Sequence, residues 1–151
     1  MSDLALQLIA ENKRSRDTFL DLGNCGLTEV PAEVGELVWL ESLSLVSGTN
    51  SRNTADKNNR LIDIGPLGGL TRLRSLIVAQ VADLALLASL TKLQTLYVSD
   101  TQVSDLTPLA GLSALQSLDV SNTQVSNLTP LAGLSAQPCN RSMSRARRSV
   151  T

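Results

Sequence analysis

Leucine recurs along this chain at a spacing that matches neither a helix nor a simple alternating strand. Two segments, LTKLQTLYVSDTQVSDLTPLAG from Leu90 and LSALQSLDVSNTQVSNLTPLAG from Leu112, agree at most of their 22 positions. Their shared pattern, LxxLxxLxLxxTxVxxLxxLxxL, buries all its apolar positions only if the chain makes one turn of a coil per repeat. The pattern therefore predicts a stack of similar coils around a leucine-rich core.

Each coil is predicted to contain one short strand and one tight turn. Side chains alternate along a strand, so segments 95–99 and 117–121 direct leucine and valine inward and their remaining residues outward. Pro108 and Pro130 favour a 3-10-like turn over a full helix on the opposite, convex side. Further apolar residues close the core there: Val103, Leu106, Leu109, Val125, Leu128 and Leu131.

The repeat extends upstream and makes about five coils over residues 19–136. The coil that starts at Leu37 carries a polar insertion, residues 46–58, which is predicted to be a loop. It is either a partner contact or a tolerated surface insertion. The coil from Leu70 to Leu90 is two residues shorter than the others.

Residues 1–18 are assigned to an N-terminal capping helix. The periodicity of residues 3–14 predicts an amphipathic helix with Leu4 and Leu8 on its core face, and with Leu6 and Ile9 as further candidates. Such a helix would cover the apolar end that an open solenoid exposes.

The repeat is similar to the 22-residue type of the leucine-rich-repeat family, as in bacterial internalin-like proteins, over Leu20 to Leu134. This resemblance implies an α/β leucine-rich-repeat solenoid with short parallel strands on its concave face, 3-10 or irregular turns on its convex face and an N-terminal capping helix. Residues 4–45 also resemble the opening of bacterial repeat proteins that carry a Roc GTPase and a COR domain downstream. The chain contains no GxxxxGK[ST] phosphate loop, so their nucleotide chemistry is not expected here.

Small polar groups recur inside the coils, at or near the fifth residue after the first strand leucine. They are predicted to bond the loop backbone as a structural ladder of Cys25, Asn59, Thr101 and Thr123. The alternative role for Cys25 is a reactive thiol or metal ligand, but the chain has no histidine and no second cysteine nearby. Neither metal nor cofactor is expected.

Outward strand positions of successive coils should align into one surface, which we call the concave ribbon. Its predicted members are Asp21, Ser42, Ser44, Ser75, Ile77, Thr95, Tyr97, Ser117 and Asp119. The coil core holds this ribbon in place, so a partner would dock at low entropic cost. Tyr97 is its expected aromatic anchor and the only aromatic assigned to it, whereas Trp39 is expected to pack.

Charge and composition narrow the partners. The net charge is −1, but residues 1–136 carry about −5 and four arginines lie in the tail. This argues against nucleic acid or an anionic membrane as partner of the body and favours a protein or peptide. Asp21 and Asp119 lie on different coils, and Asp105 and Asn127 indicate turns. None of these residues forms a group of converging titratable side chains, so no catalytic residue and no enzymatic activity are predicted. Neither a signal peptide nor a membrane span is evident, which favours the cytoplasm.

The repeat stops abruptly after Ala136, and residues 137–151 are predicted to be a disordered tail. Permitted codons for residues 135–151 encode LQPLNVSSTQVSD in another frame, which matches nine of thirteen residues from Leu115 onward. We therefore hypothesise a frameshifted tail, with a disordered basic tail as the alternative. The last coil would then leave Leu118, Leu131 and Leu134 partly open and prone to self-association.

The sequence thus predicts a non-catalytic protein-binding scaffold, as a truncated fragment of a longer repeat protein. Two alternatives remain: a decayed gene fragment without a selected function, and the detached sensor region of a Roc-COR GTPase.

Overall fold

The computed structural model describes residues 3–46, 59–61, 63–81, 83–98, 101–120 and 122–134. In this part the chain begins with one α-helix, α1 (Asp3–Ser15), and continues with strands that alternate with 3-10 helices. The strands are β1 (Phe19–Asp21), β2 (Ser42–Ser44), β3 (Ser75–Ile77), β4 (Thr95–Tyr97) and β5 (Ser117–Asp119). The 3-10 helices span Ala32–Glu36, Gly65–Gly69, Ala85–Ser89, Thr107–Leu109 and Thr129–Leu134.

The strands form one parallel sheet in the order β1-β2-β3-β4-β5, which is also their order in the sequence. The register aligns equivalent leucines of successive coils, Leu20, Leu43, Leu76, Leu96 and Leu118. Each connection between strands passes through a 3-10 helix on the other side of the core. The predicted α/β leucine-rich-repeat solenoid, with parallel strands, 3-10 turns and one N-terminal helix, is confirmed.

Leucine fills the interior because each coil turns the same positions inward. Leu73, Leu76, Leu93 and Leu96 have no exposed surface. Burying a leucine side chain contributes roughly 1.5–3 kcal/mol, and the stack repeats this contribution in every coil. The strands are three residues long, shorter than the predicted five, because a coil of about 22 residues must turn away from the sheet on both sides.

Acidic or amide side chains begin the 3-10 helices from the second coil onward. Asp63, Asp83, Asp105 and Asn127 each accept a hydrogen bond from the backbone N–H two residues later, at 2.7, 2.8, 2.8 and 2.9 Å. Asp and Asn favour such turns because their short side chains reach the backbone of the following residues. Asp105 and Asn127 therefore serve the turns, as predicted.

The helix α1 covers the first coil with a different face from the one predicted. Ala5, Ile9 and Asn12 are buried and Leu8 is partly buried, whereas Leu4 is 47% exposed. The expectation that Leu4 faces the core is therefore wrong. Residues 5, 9 and 12 share one face of a helix. Two of them are a small alanine and a polar asparagine, so the pattern of large apolar residues does not indicate this face.

Asn12 joins α1 to the first two coils. Its Nδ2 donates to the carbonyl oxygens of Asp17 and Phe19, at 3.1 Å each, and its Oδ1 accepts from Trp39 Nε1 at 3.0 Å. The guanidinium of Arg16 lies 4.0 Å from the centroid of the Trp39 ring, within the range of a cation–π contact. Trp39 therefore packs within the cap.

The last coil is better buried than predicted. Leu118 has no exposed surface and Leu131 is 6% exposed, so the expectation that both are partly open is wrong. Leu118 points into its own coil and pairs in register with Leu96 of β4. The side chain of Leu134, residues 47–58 of the insertion and the tail 137–151 lie outside the described residues.

Candidate functional site

The outer face of the sheet carries all nine predicted members of the concave ribbon. In each strand the central residue is buried and its two neighbours are more exposed, so those neighbours share the outer face. Asp21 is exposed, and the other eight residues are half-buried. Each of the nine residues therefore keeps some surface that a partner can contact.

The ribbon consists of two rows that run across the strands. The first outward residues of β2 to β5 form one row, Ser42, Ser75, Thr95 and Ser117. The last residues of the five strands form the other, Asp21, Ser44, Ile77, Tyr97 and Asp119. Neighbouring strands lie about 4.8 Å apart, so side chains within a row are close neighbours.

Ile77 and Tyr97 give the ribbon an apolar centre. They are register partners on β3 and β4 and point to the same face. The row beside them consists of hydroxyl side chains, which are small and can both donate and accept hydrogen bonds. A large apolar pair next to small polar side chains is able to hold an apolar side chain and bond a nearby backbone.

Phe19 extends this face and was not among the predicted residues. It is the first residue of β1, is 51% exposed and pairs in register with Ser42. The expectation that Tyr97 is the only aromatic of this face is therefore wrong. Because the strand begins one residue earlier than Leu20, alternation places Phe19 on the same side as Asp21.

Charged groups surround the rows. Glu41 precedes β2 and pairs with Arg72 and Arg74 of the next coil, at 3.4 and 3.5 Å. Exposed pairs of this kind contribute about 0–1 kcal/mol. Asp21 and Asp119 occupy the two ends of their row. Asp21 Oδ1 accepts a hydrogen bond from Gly23 N–H at 2.8 Å.

The predicted ladder residues make hydrogen bonds to the loop backbone. Asn59 is 6% exposed, and its Nδ2 donates to the carbonyl oxygens of Leu22 and Leu45, at 2.9 and 2.8 Å. Its Oδ1 accepts from Leu27 N–H at 2.8 Å, so the side chain joins the first two coils. The remaining contacts run from Cys25 Sγ to Gly23 O at 3.6 Å, from Thr101 Oγ1 to Val98 O at 2.9 Å and from Thr123 Oγ1 to Val120 O at 2.7 Å.

The described residues contain no group of three or more His, Cys, Asp or Glu side chains arranged to hold a metal ion. A shallow pocket of about 30 Å³ is lined by Gly26, Leu27, Thr28, Glu29 and Pro31, whereas small-molecule sites typically span roughly 300–1,000 Å³.

Hydrogen bonds from the Thr107 side chain and, secondarily, its backbone lower the pKa of the exposed Asp105 carboxyl.

The described part of the chain also has no helix of the length and apolarity that crossing a bilayer requires.

Comparison with known proteins relates this geometry to bacterial repeat proteins. Residues 91–133 match the family described as Leucine Rich repeats (2 copies). The chain is similar to internalin C2 of Listeria monocytogenes, with 33% identity over 88% of this chain and 54% of that one, at a TM-score of 0.72. Internalin F of the same species shows 30% identity over 70% of this chain and 28% of that one, at a TM-score of 0.60.

A leucine-rich-repeat protein of Leptospira interrogans shares the fold, with 19% identity over 87% of this chain and 43% of that one, at a TM-score of 0.50. The chain spans about half the length of internalin C2 and a smaller share of the other two structures. No curated protein sequence matches it.

Proposed function

We propose that this leucine-rich-repeat chain is a protein-binding scaffold whose concave ribbon holds a segment of a partner protein. The observation that carries the proposal is the register of the five strands, which aligns Ile77 with Tyr97 at the centre of the outer face. Phe19, on the same face, is 51% exposed. Exposed aromatic and aliphatic side chains on a rigid support are typical anchors of protein interfaces.

The rigidity of the sheet supports this proposal. The strand leucines beneath the ribbon are almost completely buried, and every strand of the sheet is joined to its neighbour. A surface that is already ordered loses little conformational entropy on binding. A modest number of contacts is therefore sufficient for specific recognition.

A random peptide library displayed on phage tests the scaffold function. It is selected on the immobilised protein, and enriched peptides are then measured by fluorescence anisotropy against Tyr97→Glu and Ile77→Glu variants. Each variant should weaken binding at least tenfold, about 1.4 kcal/mol, because a carboxylate at the apolar centre must be desolvated. Circular dichroism shows whether both variants keep the fold.

Leu86→Glu is the matched control. Leu86 is also apolar and 44% exposed, but it lies in the 3-10 helix Ala85–Ser89 on the opposite side of the core. Binding by this variant should equal that of the wild type. Equal losses in the Leu86 and Tyr97 variants, or no enrichment of any peptide, would contradict the proposal.

The tail and the origin of the chain stay hypotheses. We propose that residues 137–151 are an out-of-frame translation and that the chain derives from a longer repeat protein. The support is that permitted codons in another frame encode thirteen residues, nine of which match the repeat from Leu115. Sequencing the gene tests it, since codons that cannot encode LQPLNVSSTQVSD in another frame would refute the frameshift. The relation to Roc-COR proteins likewise remains a prediction.

A further inference from the structure

Building on the proposed function, we propose that the partner segment is an extended peptide whose apolar side chains are flanked on both sides by lysine or arginine. The peptide crosses the strands along one row of the ribbon. From β1 to β5, this row is Asp21, Ser44, Ile77, Tyr97 and Asp119.

The two ends of the row attract cations. Asp21 is exposed and accepts one hydrogen bond from Gly23 N–H, and Asp119 also has an interaction within the chain. A carboxylate offers about four acceptor positions, so the contact with Gly23 leaves Asp21 capacity for an ammonium or guanidinium group, and Asp119 places a second carboxylate at the other end of the row. Both ends of the row therefore favour Lys or Arg.

The surroundings reinforce this charge preference. Residues 1–136 carry fourteen Asp and Glu against nine Lys and Arg. Arg72 and Arg74, which precede β3, both pair with Glu41, at 3.4 and 3.5 Å, and this carboxylate offsets part of their positive charge. A basic peptide thus meets an acidic protein, and an acidic peptide meets repulsion at both ends of the row.

The spacing of the row matches an extended chain. Four strand spacings of about 4.8 Å separate Asp21 from Asp119 by roughly 19 Å. Residues i and i+6 of an extended peptide lie about 20 Å apart on the same side, since the rise is roughly 3.3 Å per residue. Residue i+4, about 13 Å along the row, then lies close to Tyr97, and residue i+2, about 7 Å along it, lies between Ser44 and Ile77. The pattern recognised is basic, apolar, apolar, basic at every second position.

The probe is the fluorescein-labelled peptide Lys-Ser-Phe-Ser-Leu-Ser-Lys with blocked ends. Anisotropy gives its Kd for the full chain and for the Asp21→Asn/Asp119→Asn variant. We expect the variant to raise Kd about three- to tenfold, as for the loss of two exposed ion pairs. The difference should shrink at 200 mM salt, where the Debye length is below about 10 Å.

The matched control protein is Asp83→Asn/Asp105→Asn. It makes the same change in charge on the opposite side of the core, and Asn127 already performs the same turn function as these two residues. Its Kd should change less than twofold. An equal rise in Kd for the two double variants would overturn the proposal, because the effect would then be one of net charge alone.

Two further peptides separate this inference from the scaffold function. Glutamate in place of both lysines should weaken binding at least tenfold. If Ser-Ser-Phe-Ser-Leu-Ser-Ser binds as tightly as the lysine peptide while Tyr97→Glu still abolishes binding, the scaffold function stands and the basic pattern is overturned. If Tyr97→Glu binds every peptide like the wild type, the scaffold function fails as well.

Other occupants of the ribbon give different results. In the first test, the four arginines of residues 141–148 are replaced by serine in the full chain. A rise of more than threefold in peptide affinity would mean that the chain's own tail competes for the ribbon, and would overturn a separate partner. In the second test, the peptide is added to the full chain. If it converts a dimer into monomers, a second copy of the chain occupies the ribbon, and the proposal of a separate partner is again overturned.

Discussion

Replacing Asn12 by alanine should destabilise the packing of α1 against the first coils. The variant loses hydrogen bonds rather than apolar contacts. Asn12 is 5% exposed, and three hydrogen bonds join it to the carbonyl oxygens of Asp17 and Phe19 and to Trp39 Nε1. Alanine is a better helix former than asparagine, so the substitution by itself favours the helical state of α1. Any destabilisation therefore reports the lost hydrogen bonds.

The expected magnitude follows from these three bonds. A neutral hydrogen bond contributes about 0.5–1.5 kcal/mol net, and a buried group left without a partner costs about 1–3 kcal/mol. Some of the freed groups can reach water at the edge of the cap, so we expect a loss of roughly 2–4 kcal/mol in total. For a chain of this length, that lowers the melting temperature by about 4–16 °C.

Two optical probes separate the cap from the repeats. Trp39 is the only tryptophan, so its fluorescence follows the region beside Asn12, whereas far-ultraviolet circular dichroism follows the whole solenoid. Repeat proteins can unfold unit by unit because each coil contacts only its neighbours. In the Asn12→Ala variant the fluorescence transition should precede the circular dichroism transition.

Gln7→Ala is the control for this experiment. Gln7 lies on the same helix, and its side chain makes one exposed hydrogen bond, to Glu11 at 3.2 Å. Its replacement should change the unfolding free energy by less than about 0.5 kcal/mol, as for other exposed sites. A loss below about 0.5 kcal/mol in the Asn12 variant as well would refute the assigned role of the network.

Two further predictions concern the coils. Asn59→Ala should lower the unfolding free energy by roughly 3 kcal/mol or more in urea titrations, because three buried backbone groups lose their partner. Thr101→Ala is the comparison, since it removes fewer hydrogen bonds. An equal or smaller loss in the Asn59 variant would contradict this prediction. The lowered pKa of Asp105 stabilises the fold above the ordinary aspartate pKa of about 3.8, and this contribution is lost as the pH falls through the folded-state pKa. Asp105→Asn removes this contribution, so it should lower the melting temperature slightly at pH 7 and reduce its fall at acid pH. Identical pH profiles for the two proteins would exclude this linkage.

The repeats could be predicted from the sequence because a coil constrains every inward position in the same way. Leu96 and Leu118 occupy equivalent sites and pair in register, so one repeat predicts the next. The side that each strand residue faces follows from alternation once the inward leucine is known. Fold and register therefore depend on local spacing, which a single sequence displays.

The cap is different because its decisive contacts are long-range and polar. Asn12 and Trp39 are 27 residues apart and meet through one hydrogen bond, for which no periodic pattern exists. The buried face of α1 includes Ala5 and Asn12, so an apolar pattern assigns Leu4 to the core instead. The presence of the helix could be predicted from propensity and periodicity. The face that it buries depends on Trp39, which belongs to another coil.

The same logic explains why recognition is harder to infer than the fold. Core positions repeat because every coil must fill the same space, and the first outward row repeats Ser or Thr in four successive strands. The second outward row does not repeat: it changes from Ser44 to Ile77, Tyr97 and Asp119 along β2 to β5. These side chains are half-buried on the outer face, where packing permits many residue types. The positions that the repeat leaves free are therefore where partner specificity can reside. The substitutions of Asp21, Ile77, Tyr97 and Asp119 change these positions and leave the leucine core intact.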